Sequence, residues 1–451
     1  MAIVNNTDVN TTPMVALQPP KDVDLEAIEN ELRQIWLAHS DTKDGLAAAR
    51  ASSFTLLIYE PEPIQPLLAA LGFYKGPIDG IKGPRTISAI KAAQKAYGLP
   101  VTGAATPELL EKLQKEYRAS VKAGKINETY SPDSSGAGIA DAIAATNPCR
   151  IITLCPSLGE DEGVKAQVSA YCPVTKRASG SLICCEYITL IGTSKALERI
   201  GGVITELMIP ELPKYIWWKA SLHQDYPLFQ RLMGVCDRLI VDSSIFPQPE
   251  KELLAVAELI QDNIPVADLN WHRLAPWLEL TAEAFDPPER RQAIWEVDTV
   301  TIDYEKGNPS QAFLFLGWLA SRLHWQPFSC EKEEGDYYLH KIALKTPEGK
   351  TISAELAGTP VGNPGKILGD LIGLKLSSTN QEADCCTVLC SETTGCMRME
   401  ASGGAQSCRV QQVTSLADQE PEILLSQELQ RWGLDSLYLE TMTVTKQLLQ
   451  L

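Results

Sequence analysis

The pattern of hydrophobic and polar positions changes several times along the chain, and each change predicts a different element. After Asp24, apolar residues recur at helical spacing, at Leu25, Ile28, Leu32, Ile35 and Trp36, and a short β-rich run over 52–60 follows. Further buried-strand runs, NPCRIITLCP, SLICCEYITLIG, YIWWKA and LIVDSS, alternate with helical stretches. Strands that alternate with helices predict a mostly parallel α/β sheet.

A compact helical segment interrupts this pattern between residues 61 and 119. A PIDG turn follows its first apolar positions, the helix TISAIKAAQKAYG ends at Gly98, and Thr106 and Pro107 open another helix. We therefore expect a bundle of three helices. Because one strand precedes the bundle and the other strands follow it, the bundle is predicted to be inserted into the α/β domain.

The remaining pattern completes the domain plan. Residues 1–22 are expected to form a disordered leader, 23–60 with 138–248 the α/β domain, and 120–137 a linker that contains SPDSSGAG. Helical periodicity predicts a helical layer over 249–330. Between 331 and 451, short alternating strands joined by PEGK, TTG and SGGAQ predict an antiparallel sheet with two closing helices. The predicted fold class is multidomain, α/β and α+β.

The composition of the chain mainly excludes classes of protein and of partner. Apolar residues make up 44% and charged residues 22%, as in soluble globular proteins. The start of the chain lacks the basic and apolar regions of a secretion signal, so a cytoplasmic protein is expected. With 57 acidic and 40 basic residues, the formal charge of -17 would repel phosphate backbones. Neither nucleic acid nor a membrane is an expected partner.

Sequence signatures of catalysis are missing. TPEGKT resembles a phosphate-binding loop, but Leu344 stands where that loop needs glycine, so a hairpin turn is predicted. The chain has no G-x-S-x-G, H-E-x-x-H or H-x-H, and its five histidines are scattered singly. We therefore predict no catalytic residue, no metal site and no cofactor.

The twelve cysteines follow no regular spacing. In a reducing cytosol most of them should be thiols. Three interpretations of the five between 385 and 408 stay open: buried thiols that act as small hydrophobes, a redox pair, or a zinc site. The redox candidates are Cys149, Cys155, Cys184, Cys185, Cys385, Cys386, Cys390, Cys396 and Cys408.

Two clusters combine tryptophan with charged residues. Adjacent Trp217 and Trp218 in one strand must face opposite sides, so each is either a binding anchor or a buried core residue. The charged residues either pair internally or present a polar rim to a partner. The predicted partner-binding residues are Trp217, Trp218, Lys219, Arg238, Asp242, Asp268, Trp271, Arg273 and Trp277.

These clusters also carry a family resemblance. WWK, CDRLIVDSS and ADLNWHRLAPW together resemble the glucose-6-phosphate dehydrogenase assembly protein family, called OpcA, over most of the chain outside 65–119. The matching residues are Trp217, Trp218, Asp237, Arg238, Asp242, Asp268, Leu269, Trp271, Arg273 and Trp277. The resemblance implies a non-catalytic activator that binds glucose-6-phosphate dehydrogenase, promotes its active oligomer and raises its affinity for substrate. The resemblance also implies that such an activator supports NADPH production in the oxidative pentose phosphate pathway.

The inserted segment has a resemblance of its own. PIDGIKGPRT, AIKAAQKAYGL and VTG before a threonine-capped helix resemble a peptidoglycan-binding-like domain. A chain with this inserted domain resembles the cyanobacterial form of the family. That resemblance implies redox control, with thioredoxin as a second partner. Because no export signal is seen, we expect an interaction or spacer domain without its ancestral ligand. The alternative, a peptidoglycan-binding cell-wall remodelling protein, predicts a signal peptide and a catalytic constellation.

Overall fold

The computed structural model describes residues 14–39, 47–50, 52–61, 64–74, 84–122, 149–157, 161–173, 181–222, 224–288, 290–335, 337–360, 367, 369–380, 383, 385–392, 396–402, 410–415, 421–431 and 433–451. The chain divides into two compact units, Met1–Leu239 and Ile240–Leu451. The division falls within strand β8 (Arg238–Val241).

The first unit contains a mixed sheet. Its strands are β1 (Met14–Val23), β2 (Ala47–Arg50), β3 (Thr55–Tyr59), β4 (Arg150–Pro156), β5 (Lys165–Pro173), β6 (Ser181–Gly192) and β7 (Lys214–Trp218). The order is β1-β5-β6-β4-β3-β7, with β2 beside β6. Strands β6, β4, β3 and β7 are mutually parallel, whereas β5 is antiparallel to both β1 and β6. All five residues of β3 are buried, as expected for a central parallel strand.

The helices of this unit are α1 (Ile28–His39), α2 (Ile64–Ala70), α3 (Pro84–Ala96), α4 (Pro107–Lys122), α5 (Ser194–Arg199), α6 (Gly201–Leu207) and α7 (Pro227–Met233). The predicted leader over 1–22 is wrong for residues 14–22, which lie in β1; residues 1–13 lie outside the described residues. Strand β1 is at the sheet edge, where Pro19 and Pro20 are tolerated because a missing amide costs no ladder hydrogen bond.

The insertion of the helical module is confirmed. Thr55 of β3 pairs with Arg150 of β4, so the strands on either side of α2, α3 and α4 are neighbours in the sheet. Gly98, with a φ of 68°, follows α3, and the Thr106 hydroxyl accepts a hydrogen bond from the Leu109 amide at the start of α4. The three helices enclose a core of their own, formed by Ile64, Leu67, Leu68, Tyr74, Ala89, Ile90, Ala93, Leu109, Leu113 and Tyr117.

The second unit contains a short strand, β9 (Val266–Asp268), and a second sheet. The strands of that sheet are β10 (Thr299–Glu305), β11 (Gln326–Glu334), β12 (Tyr338–Lys345), β13 (Thr351–Thr359), β14 (Leu371–Ser377), β15 (Cys386–Glu392), β16 (Cys396–Ser402) and β17 (Val410–Ser415). Their order is β11-β12-β13-β10-β14-β15-β16-β17. Every neighbouring pair is antiparallel except β10 and β13.

The helices of the second unit are α8 (Pro249–Gln261), α9 (Leu269–Arg273), α10 (Ala275–Phe285), α11 (Ser310–Arg322), α12 (Pro421–Glu428) and α13 (Ser436–Leu449). The helical region predicted over 249–330 contains α8, α9, α10 and α11, but β10 also lies within those bounds, at the centre of the sheet. Val300, Ile302 and Tyr304 of β10 are buried, and its intervening residues are half-buried, which is the alternation of a strand with one covered face. The hairpin turn predicted for TPEGKT is confirmed, since the Thr346 amide donates to the Lys350 carbonyl.

Candidate functional site

The order of the central parallel strands defines a place where ligands usually bind. The chain passes from β3 to β4 and β6 on one side, and then places β7 on the other side of β3. This matches the order of a dinucleotide-binding sheet around its switch point, where ligands lie in the crevice at the carboxyl ends of the strands. Tyr59 ends β3 and Trp218 ends β7, so both residues stand at that crevice.

Aromatic side chains of the chain itself occupy this place. Tyr59 and Trp218 are paired in register, and their rings stack with centroids 3.9 Å apart and an interplanar angle of 8°. Tyr226 lies edge-on to Tyr59 at 6.2 Å and donates its hydroxyl hydrogen to the Ser194 carbonyl at 2.9 Å. Phe229 packs edge-on against Trp218 at 4.9 Å. In such a cluster the ring faces contact one another and are not available to a ligand.

An ion pair follows the aromatic stack. Lys219 Nζ lies 2.7 Å from Glu60 Oε1, and the Lys219 amide donates to the Tyr59 carbonyl. A dinucleotide-binding sheet has a glycine-rich turn after its first strand, but here Glu60 and then the helical module follow β3. The lysine charge that could hold a phosphate is therefore already compensated by a carboxylate.

Eight of the nine predicted partner-binding residues are buried: Trp217, Trp218, Arg238, Asp242, Asp268, Trp271, Arg273 and Trp277. Lys219 is the exception, with 22% of its side chain exposed. The two tryptophans occupy consecutive positions of β7 and so lie on opposite faces of the strand, yet neither is an exposed anchor. Partner binding by this set stays a prediction, and direct contact with the buried members would require local rearrangement.

In the second unit, charged residues of the predicted partner-binding set pair with each other, which was one of the two alternatives that the sequence left open. Arg273 donates from its two terminal nitrogens to the two carboxylate oxygens of Asp242, at 2.7 and 2.8 Å. Burial alone would raise the pKa of Asp242, but the charge of Arg273 together with the hydrogen bonds from Arg273 and Ser244 outweighs it and leaves the pKa lowered. Asp242 also accepts from the Ser244 amide, so the pair holds the turn that follows β8.

Asp268 organises the neighbouring turn. Its Oδ1 accepts hydrogen bonds from the backbone amides of Ser243 and Asn270, both at 2.9 Å, and thereby caps α9. Burial raises the pKa of Asp268 to about 6, and the charge of Asp242 adds to that effect. Its second oxygen and the Tyr438 hydroxyl are buried and have no hydrogen-bond partner among the described residues.

Several members of this polar cluster were missed by the sequence reasoning. Asn308 donates to the carbonyls of Ser243 and Ser244, both at 2.9 Å, and Gln311 bridges the Asn270 and Asp370 side chains at 2.9 and 2.8 Å. The NPS segment before α11 resembles a helix start, which was the available signal. The partners of Asn308 and Gln311 could not be predicted from residue spacing, because they are distant in the sequence.

Trp271 and His272 connect α9 to the closing helices. The Trp271 indole donates to Asp435 at 3.0 Å, and His272 lies 2.8 Å from Glu428. Asp435 also caps α13. The second tryptophan cluster therefore has the geometry of a buried brace within the unit rather than that of an exposed binding surface.

Two of the redox candidates lie against each other. The Cys149 amide donates to Cys185 Sγ at 3.4 Å, and both side chains are buried. Burial raises the pKa of the Cys149 thiol, and the hydrogen bond to Cys185 reinforces that effect. The neighbouring Cys184 is disulfide-bonded. Seven of the twelve cysteines are free in the described part of the chain, which agrees with the expectation that most of them are thiols.

Burial also raises the pKa of Cys155 to about 12 and that of Cys385 to about 11. At neutral pH both are therefore protonated and weakly nucleophilic. Cys386 is free and half-buried. The side chains of Cys390, Cys396 and Cys408 lie outside the described residues.

A metal centre would need several ligating side chains that converge on one point. No group of three or more His, Cys, Asp or Glu side chains in the described part of the chain is arranged to hold a metal ion. Within the same residues, no helix has both the length and the apolar character needed to cross a bilayer.

Fold and site together define a multidomain α/β protein whose dinucleotide-type sheet carries an inserted helical module and an aromatic-filled crevice. Residues 140–258 and 264–442 match two family models, described as the N-terminal domain and the C-terminal domain of a "Glucose-6-phosphate dehydrogenase subunit". Residues 60–113 match the model "Putative peptidoglycan binding domain". The chain belongs to the OpcA family.

Three curated relatives, each named "Putative OxPP cycle protein OpcA", match along nearly their whole length. The protein of Synechocystis sp. is 59% identical and the match covers 97% of this chain and 94% of that protein. The Nostoc punctiforme protein is 56% identical, with 98% and 97% covered. The Synechococcus elongatus protein is 49% identical, with 96% and 97% covered. The family resemblance drawn from the tryptophan motifs is thereby confirmed.

Proposed function

We propose that the protein is a non-catalytic activator and assembly factor of glucose-6-phosphate dehydrogenase in the cytoplasm. In that role it would support NADPH production in the oxidative pentose phosphate pathway. The structural observation that carries the proposal is the stack of Tyr59 on Trp218, which lies at the switch point of the sheet, where dinucleotide-binding proteins hold their ligand. Family membership supplies the partner, since both matched models are described as parts of a glucose-6-phosphate dehydrogenase subunit.

Activation of this kind is a shift between enzyme states. A regulator raises the share of the active oligomer only as far as it binds that oligomer more tightly than the other states. The expected result is a lower half-saturation concentration for glucose-6-phosphate. Among the predicted partner-binding residues, the buried ones would act by shaping the binding surface, whereas Lys219 could reach the partner directly.

The test is dehydrogenase velocity against glucose-6-phosphate, with the folded protein and with an equal amount of unfolded chain as the control. A lowered half-saturation concentration with the folded protein alone supports the proposal. An unchanged curve in both oxidised and reduced preparations refutes it.

Thiol control by thioredoxin is the finer part of the proposal. Thioredoxin's dithiol would be oxidised to a disulfide as one disulfide of this chain is reduced to two thiols. The disulfide that includes Cys184 is the candidate that thioredoxin would reduce. Stimulation should then differ between oxidised and reduced protein, and equal stimulation by the oxidised, reduced and all-serine forms would rule this control out.

Cell-wall remodelling is not favoured as an alternative. The peptidoglycan-binding model covers residues 60–113, whereas the two models of the dehydrogenase family cover 140–258 and 264–442. A fold of the glycan-binding type does not by itself bring glycan binding.

A further inference from the structure

The helical module differs in charge from the chain that contains it. Residues 64–122 include nine lysines and arginines and four acidic residues, so their formal charge is +5, whereas the whole chain carries -17. The remainder of the chain therefore carries -22. An acidic partner would be repelled by most of the chain and attracted to the module.

The exposed side of α3 concentrates this basic charge. Arg85, Lys91 and Lys95 are all exposed, and none of them pairs with a carboxylate in the part of the chain that the structure describes. By contrast, Lys112 on α4 lies 3.0 Å from Glu116 and is already compensated. The charge of α3 is thus available to another molecule.

Two apolar side chains lie on the same surface. Ile87 precedes Lys91 by one helical turn and is 36% exposed, and Val101 in the following loop is 55% exposed. A basic rim around exposed apolar groups is the composition of a protein docking surface, because apolar burial supplies affinity and the charges supply orientation. We name Ile87, Lys91, Lys95 and Val101 the α3 face; Arg85 lies about 160° from Ile87 around the helix and is not part of it.

The loop that completes the α3 face is held in place. Gln94 donates to Thr102 Oγ1 and to the Ala104 carbonyl, both at 3.0 Å, and accepts from the Gly103 amide at 2.9 Å. Gly103 has a φ of 76°, and a Cβ there would approach the side chains of Lys91 and Ile87 to 2.8 and 3.0 Å. A loop backbone fixed in this way loses little conformational entropy on binding.

We propose that the α3 face docks an acidic, partly apolar surface of glucose-6-phosphate dehydrogenase. This inference rests on the proposed function for the identity of the partner. It assigns the inserted module to partner recognition through protein contacts rather than to glycan binding.

The test uses the full-length protein with the two charges of the face reversed, as Lys91→Glu/Lys95→Glu. The matched control is Lys115→Glu/Lys195→Glu, which reverses two exposed lysines elsewhere in the first unit and changes the net charge equally. Far-ultraviolet circular dichroism and melting curves establish that both variants are folded. The dissociation constant for the dehydrogenase is measured at low and high salt, together with stimulation at saturating protein.

We expect the face variant to bind at least about tenfold more weakly than the wild type and to lose most of the salt dependence, with the control within about twofold. Stimulation at saturation should persist. Equal affinities of the face variant and the wild type would overturn this inference and leave the proposed function standing. A wild type that neither binds nor stimulates the enzyme would overturn both.

Purified peptidoglycan sacculi provide the second probe. The full-length wild type should remain in the supernatant when sacculi are sedimented. Co-sedimentation that the face variant loses and the control keeps would assign the α3 face to glycan and would overturn docking to the dehydrogenase.

Discussion

Replacing Arg273 by methionine tests whether the polar cluster of the second unit is a structural brace. Arg273 holds both oxygens of Asp242 at 2.7 and 2.8 Å, and both side chains are buried. Breaking one partner of a buried, bidentate pair typically costs about 3–5 kcal/mol, because a carboxylate is left buried without compensation. For a unit of this size, about 1 kcal/mol corresponds to roughly 2–4 °C in Tm, so a fall of roughly 6–20 °C is expected.

Melting curves and urea titrations of the full chain measure this change. Because Arg273 keeps the pKa of Asp242 lowered in the wild type, the pair contributes stability at neutral pH that is lost as pH falls. Without the arginine, the buried carboxylate would have a raised pKa, so the Arg273→Met variant should lose least relative to the wild type in acid. The control is Arg322→Met, which removes an exposed pair with Glu440 and should cost no more than about 1 kcal/mol.

A double variant, Asp242→Asn/Arg273→Met, removes both charges and should be more stable at neutral pH than Arg273→Met alone. The reasoning would be refuted by a Tm shift below about 2 °C for the single variant, or by a double variant less stable than the single one. Either result would mean that the pair is not desolvated in the native protein.

The remaining predictions concern titration, packing and thiol access. Burial raises the pKa of Asp268 to about 6, so ionisation of Asp268 costs the folded state up to about 3 kcal/mol as pH rises from about 4 to 6. The Asp268→Asn variant should therefore lose less stability than the wild type between pH 4 and 6. An unchanged dependence of unfolding free energy on pH in that range would contradict this prediction. Gly317→Ala should lower stability by at least about 2 kcal/mol, since its Cβ would overlap Thr445 Oγ1, whereas Gly202→Ala, with open space around it, should be neutral or stabilising; equal melting temperatures would contradict the packing. Peptide mapping after alkylation at pH 8 should show native Cys155 reacting at least about 100-fold more slowly than in the unfolded chain, and comparable rates would contradict its raised pKa.

Local patterns were sufficient for the elements that have strong side-chain periodicity or clear caps. The module is an example: Gly98 ends α3 and Thr106 caps α4, as their residue types indicate. The two closing helices and the hairpin turn at Thr346 were predicted for the same reason. In contrast, β1 and β10 were missed, because their order comes from hydrogen bonds to strands far away in the sequence.

The candidate site shows the same division. Motifs around Trp218 and Asp268 pointed to the correct family, but their residue types suit an exposed docking surface as well as a core. The structure places these residues in the core, while partner binding by them stays a prediction. The Arg273 charge is neutralised by Asp242 at hydrogen-bond distance, and the Trp218 ring is covered by Tyr59.

The sequence by itself determined the family, the inserted module, the acidic character of the chain and most helix boundaries, since these depend on residue identity and on neighbours a few positions away. Only the tertiary structure decided which charged and aromatic residues are hidden, which aromatic pair fills the crevice between β3 and β7, and which basic residues of α3 remain uncompensated. Those outcomes depend on contacts between residues distant in the chain, whose distances and desolvation the linear sequence does not specify.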